Sequence, residues 1–178
     1  MSELGDRLLA IHDALDSARI PHAIGGAIAL GYCTLEPRGT RDLDVNVFVG
    51  PDRVKEVFAA LPEPVAVSGL SLEQAERDGQ VRLWWEQTPI DVFFSVLGFH
   101  DEVARRVRQV SFEGRSIPVL DCTALAVFKA MFDRPRDWVD IEAMLEARAL
   151  DLGEVRRWVS EMAGPESTES RRLAELAP

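Results

Sequence analysis

Apolar residues recur at Leu4, Leu8, Leu9, Ile11 and Leu15 with charged residues between them. That three-to-four spacing marks one face of an amphipathic helix over residues 3–19. Arg19-Ile20-Pro21-His22-Ala23-Ile24 reads as a short strand running into Gly25-Gly26, and the small residues from Ala27 to Cys33 as a buried helix. A loop over 34–41 leads to an apolar strand from Leu43 to Val49. Pro51 stands in the first turn of a helix over 52–61, where its missing N–H costs nothing, and Pro62 and Pro64 close that helix. Residues 65–78 leave two readings open, a capping box at Ser71-Leu72-Glu73-Gln74 or a short helix there.

Val81 to Trp85 and Ile90 to Ser95 form a hairpin around Gln87-Thr88-Pro89, and His100 to Val107 a short helix. A second hairpin is predicted where Val110-Ser111-Phe112 and Ser116-Ile117-Pro118-Val119 bracket Glu113-Gly114-Arg115. From Asp121 onward only helices are expected. Asp121 caps one over 123–132, and others follow over 136–147 and 152–162. The last fourteen residues, bounded by Pro165 and Pro178, read as a frayed tail or a short terminal helix. The expected architecture is a mixed α/β (α+β) domain over 1–120 followed by a C-terminal helical segment over 121–178, packed on it.

Composition narrows the chemistry. The formal charge is −10, which argues against a broad nucleic-acid surface, because phosphate contacts need clustered Lys and Arg. Lys55 and Lys129 are the only lysines. There is no apolar run long enough to span a membrane and no signal-peptide layout at the N-terminus, so the expectation is a cytoplasmic protein without a membrane partner. Cys33 and Cys122 are too few for a disulfide framework or a zinc site; Cys33 is expected to pack on a helix and Cys122 near a helix start. His12, His22 and His100 lack ligand spacing.

The chemistry-bearing stretch runs from Gly25 to Val45. In a strand, residues i and i+2 share a face. Asp42 and Asp44 therefore project together, opposite Leu43, Val45, Val47 and Val49. Two carboxylates that close repel unless a cation lies between them, and the usual one is Mg²⁺ on carboxylate oxygens. A third acid, Asp91, interrupts the apolar strand Ile90-Asp91-Val92-Phe93-Phe94, a costly position unless it lies at an edge, pairs or binds metal. Three carboxylates on neighbouring strands suit two Mg²⁺ ions. No G-x-G-x-x-G and no G-x-x-x-x-G-K-[ST] is present, which counts against Rossmann and P-loop readings. On a strand one of Trp84 and Trp85 faces in and the other out, so one either stacks on a base or packs at an edge.

Glycine turn, Asp-x-Asp pair and later lone acid, in that order, resemble the nucleotidyltransferase superfamily that includes DNA polymerase β. Within it the chain is most similar to the abortive-infection (type IV toxin) nucleotidyltransferases. Gly25, Gly26 and Leu30 fit their Gly-Gly-x-x-x-Leu turn, and Arg38, Thr40, Asp42 and Asp44 fit their Arg-x-Ser/Thr-x-Asp-hydrophobic-Asp motif. Leu125-Ala126-Val127-Phe128-Lys129 and the Arg/Asp-rich run Asp133 to Ile141 answer to their downstream helix and junction. The resemblance spans residues 20–145. It departs in having Gly26 where many active members have Ser, and Val45-Asn46 where some have a further acid.

The resemblance implies a nucleotidyltransferase-type mixed sheet flanked by helices, and roles for its residues. Asp42, Asp44 and Asp91 would be catalytic and hold Mg²⁺. Gly25 and Gly26 would present backbone N–H groups to the NTP phosphates at a helix N-terminus. Arg38, Thr40 or Arg41 would contact the triphosphate, and Lys129 would reach it or be a surface lysine. Arg134, Arg136, Asp137 and Asp140 read as an ion-pair junction between helices. The implied function is Mg²⁺-dependent transfer of an NMP from an NTP to a hydroxyl acceptor: tRNA, a protein side chain or an aminoglycoside-type small molecule. A toxin would bring an antitoxin partner. The alternative is a catalytically inactive nucleotide- or partner-binding module of the same fold.

Overall fold

A computed structural model describes residues 2–176. The chain divides into two compact units, Met1–Gly26 with Gly39–Val119, and Ala27–Arg38 with Leu120–Pro178. Residues 27–38, sequence neighbours of the glycine turn and the paired acids, thus cluster with the helical part of the chain.

The first unit opens with α1 (Glu3–Ser17), capped by the Ser2 hydroxyl, which accepts from the Gly5 N–H. Its buried face carries Leu8, Leu9, Ile11 and Leu15, as the periodicity predicts. Strand β1 (His22–Ile24) follows, and then α2 (Gly26–Thr34), which past Gly26 belongs to the second unit. The first unit resumes with β2 (Leu43–Val47), α3 (Val54–Ala60), β3 (Val65–Ala66), α4 (Gly69–Asp78), β4 (Gln80–Trp85), β5 (Thr88–Phe94), α5 (Phe99–Arg105), β6 (Arg108–Phe112) and β7 (Arg115–Val119).

These strands form one mixed seven-stranded sheet in the order β3-β4-β5-β2-β1-β7-β6. Its centre is the parallel pair β2–β5, in the register Leu43↔Ile90, Asp44↔Asp91 and Val45↔Val92. Leu43, Val45 and Val47 are fully buried, as are Ile90, Val92 and Phe94, so each strand spends one face on the core.

Local chemistry moves three expected boundaries. The first hairpin turns on Glu86-Gln87 rather than on Gln87-Thr88-Pro89; Glu86 takes the left-handed φ of 53° the turn needs. Pro89 lies inside β5 instead, opposite Trp84. It is tolerated because β2 begins its pairing only at Ile90, so no ladder bond is lost on that side. In the ambiguous 65–78 stretch the capping box begins at Ser68, with Ser71 as its returning member, and the helix extends to Asp78.

In the second unit Asp121 caps α6 (Cys122–Phe132) as expected, its Oδ1 accepting from Thr123 and Ala124 N–H at 3.0 and 3.1 Å. Helices α7 (Pro135–Glu146), α8 (Leu152–Ala163) and α9 (Thr168–Glu175) complete the unit. Helix α9 settles the choice between tail and terminal helix for the described residues; Pro178 lies outside them. Trp138, Ile141, Met144, Val155, Val159 and Leu173 form the unit's buried centre. Cys33 packs on α2 and Cys122 stands at the start of α6, as expected; the structure adds their pairing. Cys33 of α2 and Cys122 of α6 are joined in a disulfide across a sequence separation of 89 residues. Two isolated cysteines that far apart carry no pairing signal until the fold brings their Cα atoms to 5.6 Å.

Candidate active site

The site grows from the point where β1 ends. The Gly25 N–H donates to the Asp44 carbonyl at 2.8 Å, tying the glycine turn to the strand that carries the acids. Gly26 then enters α2 at φ 53°, and a Cβ there would lie 1.8 Å from Asp44 Oδ2. Both conformation and space therefore demand glycine. At residue 26, noted from sequence as a departure, any side chain would have to displace the Asp44 carboxylate from its present position.

Asp44 and Asp91 are direct register partners on parallel neighbours, so they share one face of the sheet at one level. Asp42 lies one residue before β2. The Thr40 hydroxyl donates to its carboxylate and accepts from its N–H at 3.4 Å. All three acids are partly exposed, so their negative charge is open to solvent and to ligand. Arg41 beside them is exposed.

A residue that sequence reading passed over completes the row. Arg82 of β4 pairs in register with Asp91. Its Nε and Nη2 donate to Oδ1 and Oδ2 of Asp91 at 2.7 and 2.6 Å, a two-pronged ion pair. The bond to Asp91 raises the proton affinity of the guanidinium, burial opposes it, and the charges of Asp91, Asp42 and Asp44 add to the rise. The signal was the hairpin itself. A two-residue turn at 86–87 puts residue 82 opposite residue 91, whereas the expected three-residue turn shifts that pairing. Of the tryptophans in this hairpin, Trp84 is the exposed one, and Trp85 lies beneath the Arg7 guanidinium, 5.7 Å from its ring centroid.

Asp42, Asp44 and Asp91 supply only hard carboxylate oxygens, the donor type that suits Mg²⁺. Their side chains are nevertheless not gathered around a point: among the described residues no three Asp, Glu, His or Cys groups form a ligand cluster. The partners explain this, because Thr40 engages Asp42 and Arg82 engages Asp91. In donor chemistry and strand position the residues fit a divalent cation.

Arg38 and Lys129 lie in the second unit with their charges already engaged. Lys129, 6% exposed rather than a surface residue, donates to Asp140 Oδ2 at 2.7 Å and Asp137 Oδ1 at 3.2 Å. Arg38 donates to both Asp140 oxygens at 2.7 and 3.2 Å, and Arg134 clamps Asp137. Burial pushes the Asp140 carboxyl up, but the bonds from Arg38 and Lys129 outweigh it and hold it below the usual carboxylate range. The Arg/Asp-rich run is thus an ion-pair junction between α6 and α7 that also captures Arg38.

No protein-family model matches this chain, and no curated protein compared with it matches. Solved structures do. The antibiotic-resistance factor ANT(2'')-Ia in solution is 13% identical over 97% of this chain and 98% of its own, with a TM-score of 0.64. Its crystal structure with adenylyl-2''-tobramycin gives 14% identity over 93% and 100%, and 0.63. The lincosamide antibiotic adenylyltransferase LnuA, lincomycin-bound, is 14% identical over 83% of this chain and 98% of its own, with a TM-score of 0.55. At these identities the likeness is one of fold: the chain has the mixed α/β fold of the nucleotidyltransferases.

Proposed function

We propose that this chain is a nucleotidyltransferase that moves an NMP from an NTP to a hydroxyl on a small, cationic acceptor. The observation that carries the reading is the Asp44–Asp91 register pair, set beside a glycine turn that is itself bonded to Asp44. Two structures with the same fold, ANT(2'')-Ia and LnuA, contain antibiotic-derived molecules, and they match nearly their whole length. The net charge of −10 favours a cationic acceptor over a nucleic acid.

In the proposed reaction the acceptor oxygen attacks the α-phosphorus, the α–β phosphoanhydride bond breaks, and pyrophosphate leaves with its electron pair. Asp91 accepts the acceptor's proton. The Gly26 N–H faces the triphosphate where α2 begins, a position that favours an anion, while the Gly25 N–H is held by the Asp44 carbonyl; Thr40 and Arg41 flank the triphosphate. Asp42, Asp44 and Asp91 would hold the divalent cation, which when bound neutralises the triphosphate and acidifies the attacking hydroxyl. Arg38 and Lys129 enter this reading through their hold on Asp140; a direct phosphate contact by either would require those bonds to be exchanged.

A second reading, an inactive binding module, is favoured by one observation: both oxygens of Asp91 are taken by Arg82. Pyrophosphate release separates the two. Purified chain is incubated with each NTP, with and without Mg²⁺, across aminoglycosides, lincosamides and tRNA. Mg²⁺-dependent release with a small-molecule acceptor, lost in Asp44→Asn, supports the proposal. Release only with tRNA moves the assignment to the toxin-like class, whose antitoxin would then be sought. No release with any pair leaves the binding module.

A further inference from the structure

Arg82, Asp91 and Asp44 stand side by side on β4, β5 and β2, one positive and two negative side chains at a single level of the sheet. The guanidinium grips both oxygens of Asp91, at 2.7 and 2.6 Å. Its side chain is 52% exposed while that of Asp91 is 18% exposed. An ion pair this open contributes little to folding, and the backbone ladder already sets the β4–β5 register. The pair therefore governs where the Asp91 carboxylate points more than whether the sheet forms.

We propose that Arg82 is a positioning residue that holds Asp91 in place of a divalent cation and must yield a carboxylate oxygen when the cation enters, so that it sets the cation affinity of the site. The inference rests on the reading of Asp42, Asp44 and Asp91 as a divalent-cation site. Arg82 supplies the counter-charge that keeps three neighbouring acids compatible before the cation arrives. Removing the guanidinium takes away both a competitor for Asp91 and a repelling charge, and cation affinity rises. Lysine keeps the charge but not the fork, and preserves most of the competition.

The test is Mn²⁺ binding measured by electron paramagnetic resonance on the full chain, without nucleotide and then with a non-hydrolysable NTP. Wild type is compared with Arg82→Gln, Arg82→Lys and Asp91→Asn, after urea unfolding confirms that each folds. Arg82→Gln is expected to bind Mn²⁺ about tenfold more tightly, as one unit charge a few ångströms away in a solvent-exposed site implies. Arg82→Lys stays within about threefold of wild type, and Asp91→Asn loses binding. In turnover, Arg82→Gln needs less Mg²⁺ for half-saturation but has a lower kcat, because Asp91 is no longer aimed. Asp91-dependent Mn²⁺ binding that Arg82→Gln leaves unchanged or weakens overturns the role of Arg82 alone. No Mn²⁺ binding by any variant, with or without nucleotide, overturns the cation site itself, and the role of Arg82 with it.

Discussion

Gly26 and Asp44 compete for one volume: a Cβ on residue 26 would lie 1.8 Å from Asp44 Oδ2, and the glycine already sits at φ 53°. The turn that opens α2 and the strand that carries the acids can pack this closely only because residue 26 has no side chain. Gly26→Ala should cost about 1–2 kcal/mol from the left-handed backbone alone. By pushing Asp44 aside it should lower kcat/KM at least about tenfold, since misplacement by an ångström has large effects on such chemistry. Gly69→Ala is the control, because a Cβ there meets nothing within 4 Å. Urea unfolding and pyrophosphate release on both variants check the prediction; equal behaviour would dismiss the close approach.

Asp44→Asn and Asp91→Asn preserve shape while removing charge. Both carboxylates are partly exposed, so each substitution should change stability by less than about 1 kcal/mol. Transfer activity should fall at least about a hundredfold, the scale seen when a group acting in the transition state is lost. Single-turnover assays beside thermal unfolding separate the two effects, and a variant that keeps its activity would remove its residue from the site.

The Cys33–Cys122 disulfide closes a loop of 89 residues by sequence separation. Chain-entropy reasoning gives such a crosslink roughly 4–5 kcal/mol, an upper figure because denatured-state structure reduces it. Unfolding by urea with and without a thiol reductant should show the reduced form less stable, and Cys33→Ser should match the reduced wild type. Identical midpoints would mean the thiols are not joined in solution.

Lys129 lies between two carboxylates that are 2% and 3% exposed. Lys129→Met should destabilise by about 3 kcal/mol, the low end for a broken buried pair, because Arg38 and Arg134 still face Asp140 and Asp137. Arg53→Ala, which breaks the exposed pair with Glu56, should leave the denaturant midpoint almost unchanged. Denaturant midpoints of the two variants give the comparison directly.

His22 sets a pH dependence. Burial depresses its pKa; the bond with the Ile20 carbonyl opposes this and the neighbouring His12 adds to it. His100 is depressed by burial as well. The unfolded chain then binds more protons than the folded one, so the stabilisation is complete above the unfolded histidine value, near 6.5. It is lost as pH falls from there toward the depressed folded values, with a slope of at most about 1.4 kcal/mol per pH unit for each histidine. Urea midpoints between pH 7.5 and 5 should fall with pH, and His22→Gln should flatten the slope.

Short-range patterning was enough to place α1, the strand carrying Asp44, the existence of both hairpins, and α6, α7 and α8. Amphipathic spacing, caps and turn residues act within a few positions of one another. The order of glycine turn, Asp42-x-Asp44 and Asp91 was legible for the same reason, because each lies in a locally readable element. What only tertiary structure decided are relationships between distant positions. The parallel register makes Asp44 the neighbour of Asp91, a two-residue turn puts Arg82 across from it, and helix packing joins Cys33 to Cys122. The same packing draws Arg38 and Lys129 onto Asp140. Strand alternation can say which face a residue occupies, but register, long-range thiol pairing and the choice of ionic partner depend on how elements far apart in the chain dock. That docking energy is spread over the whole core and written at no single position.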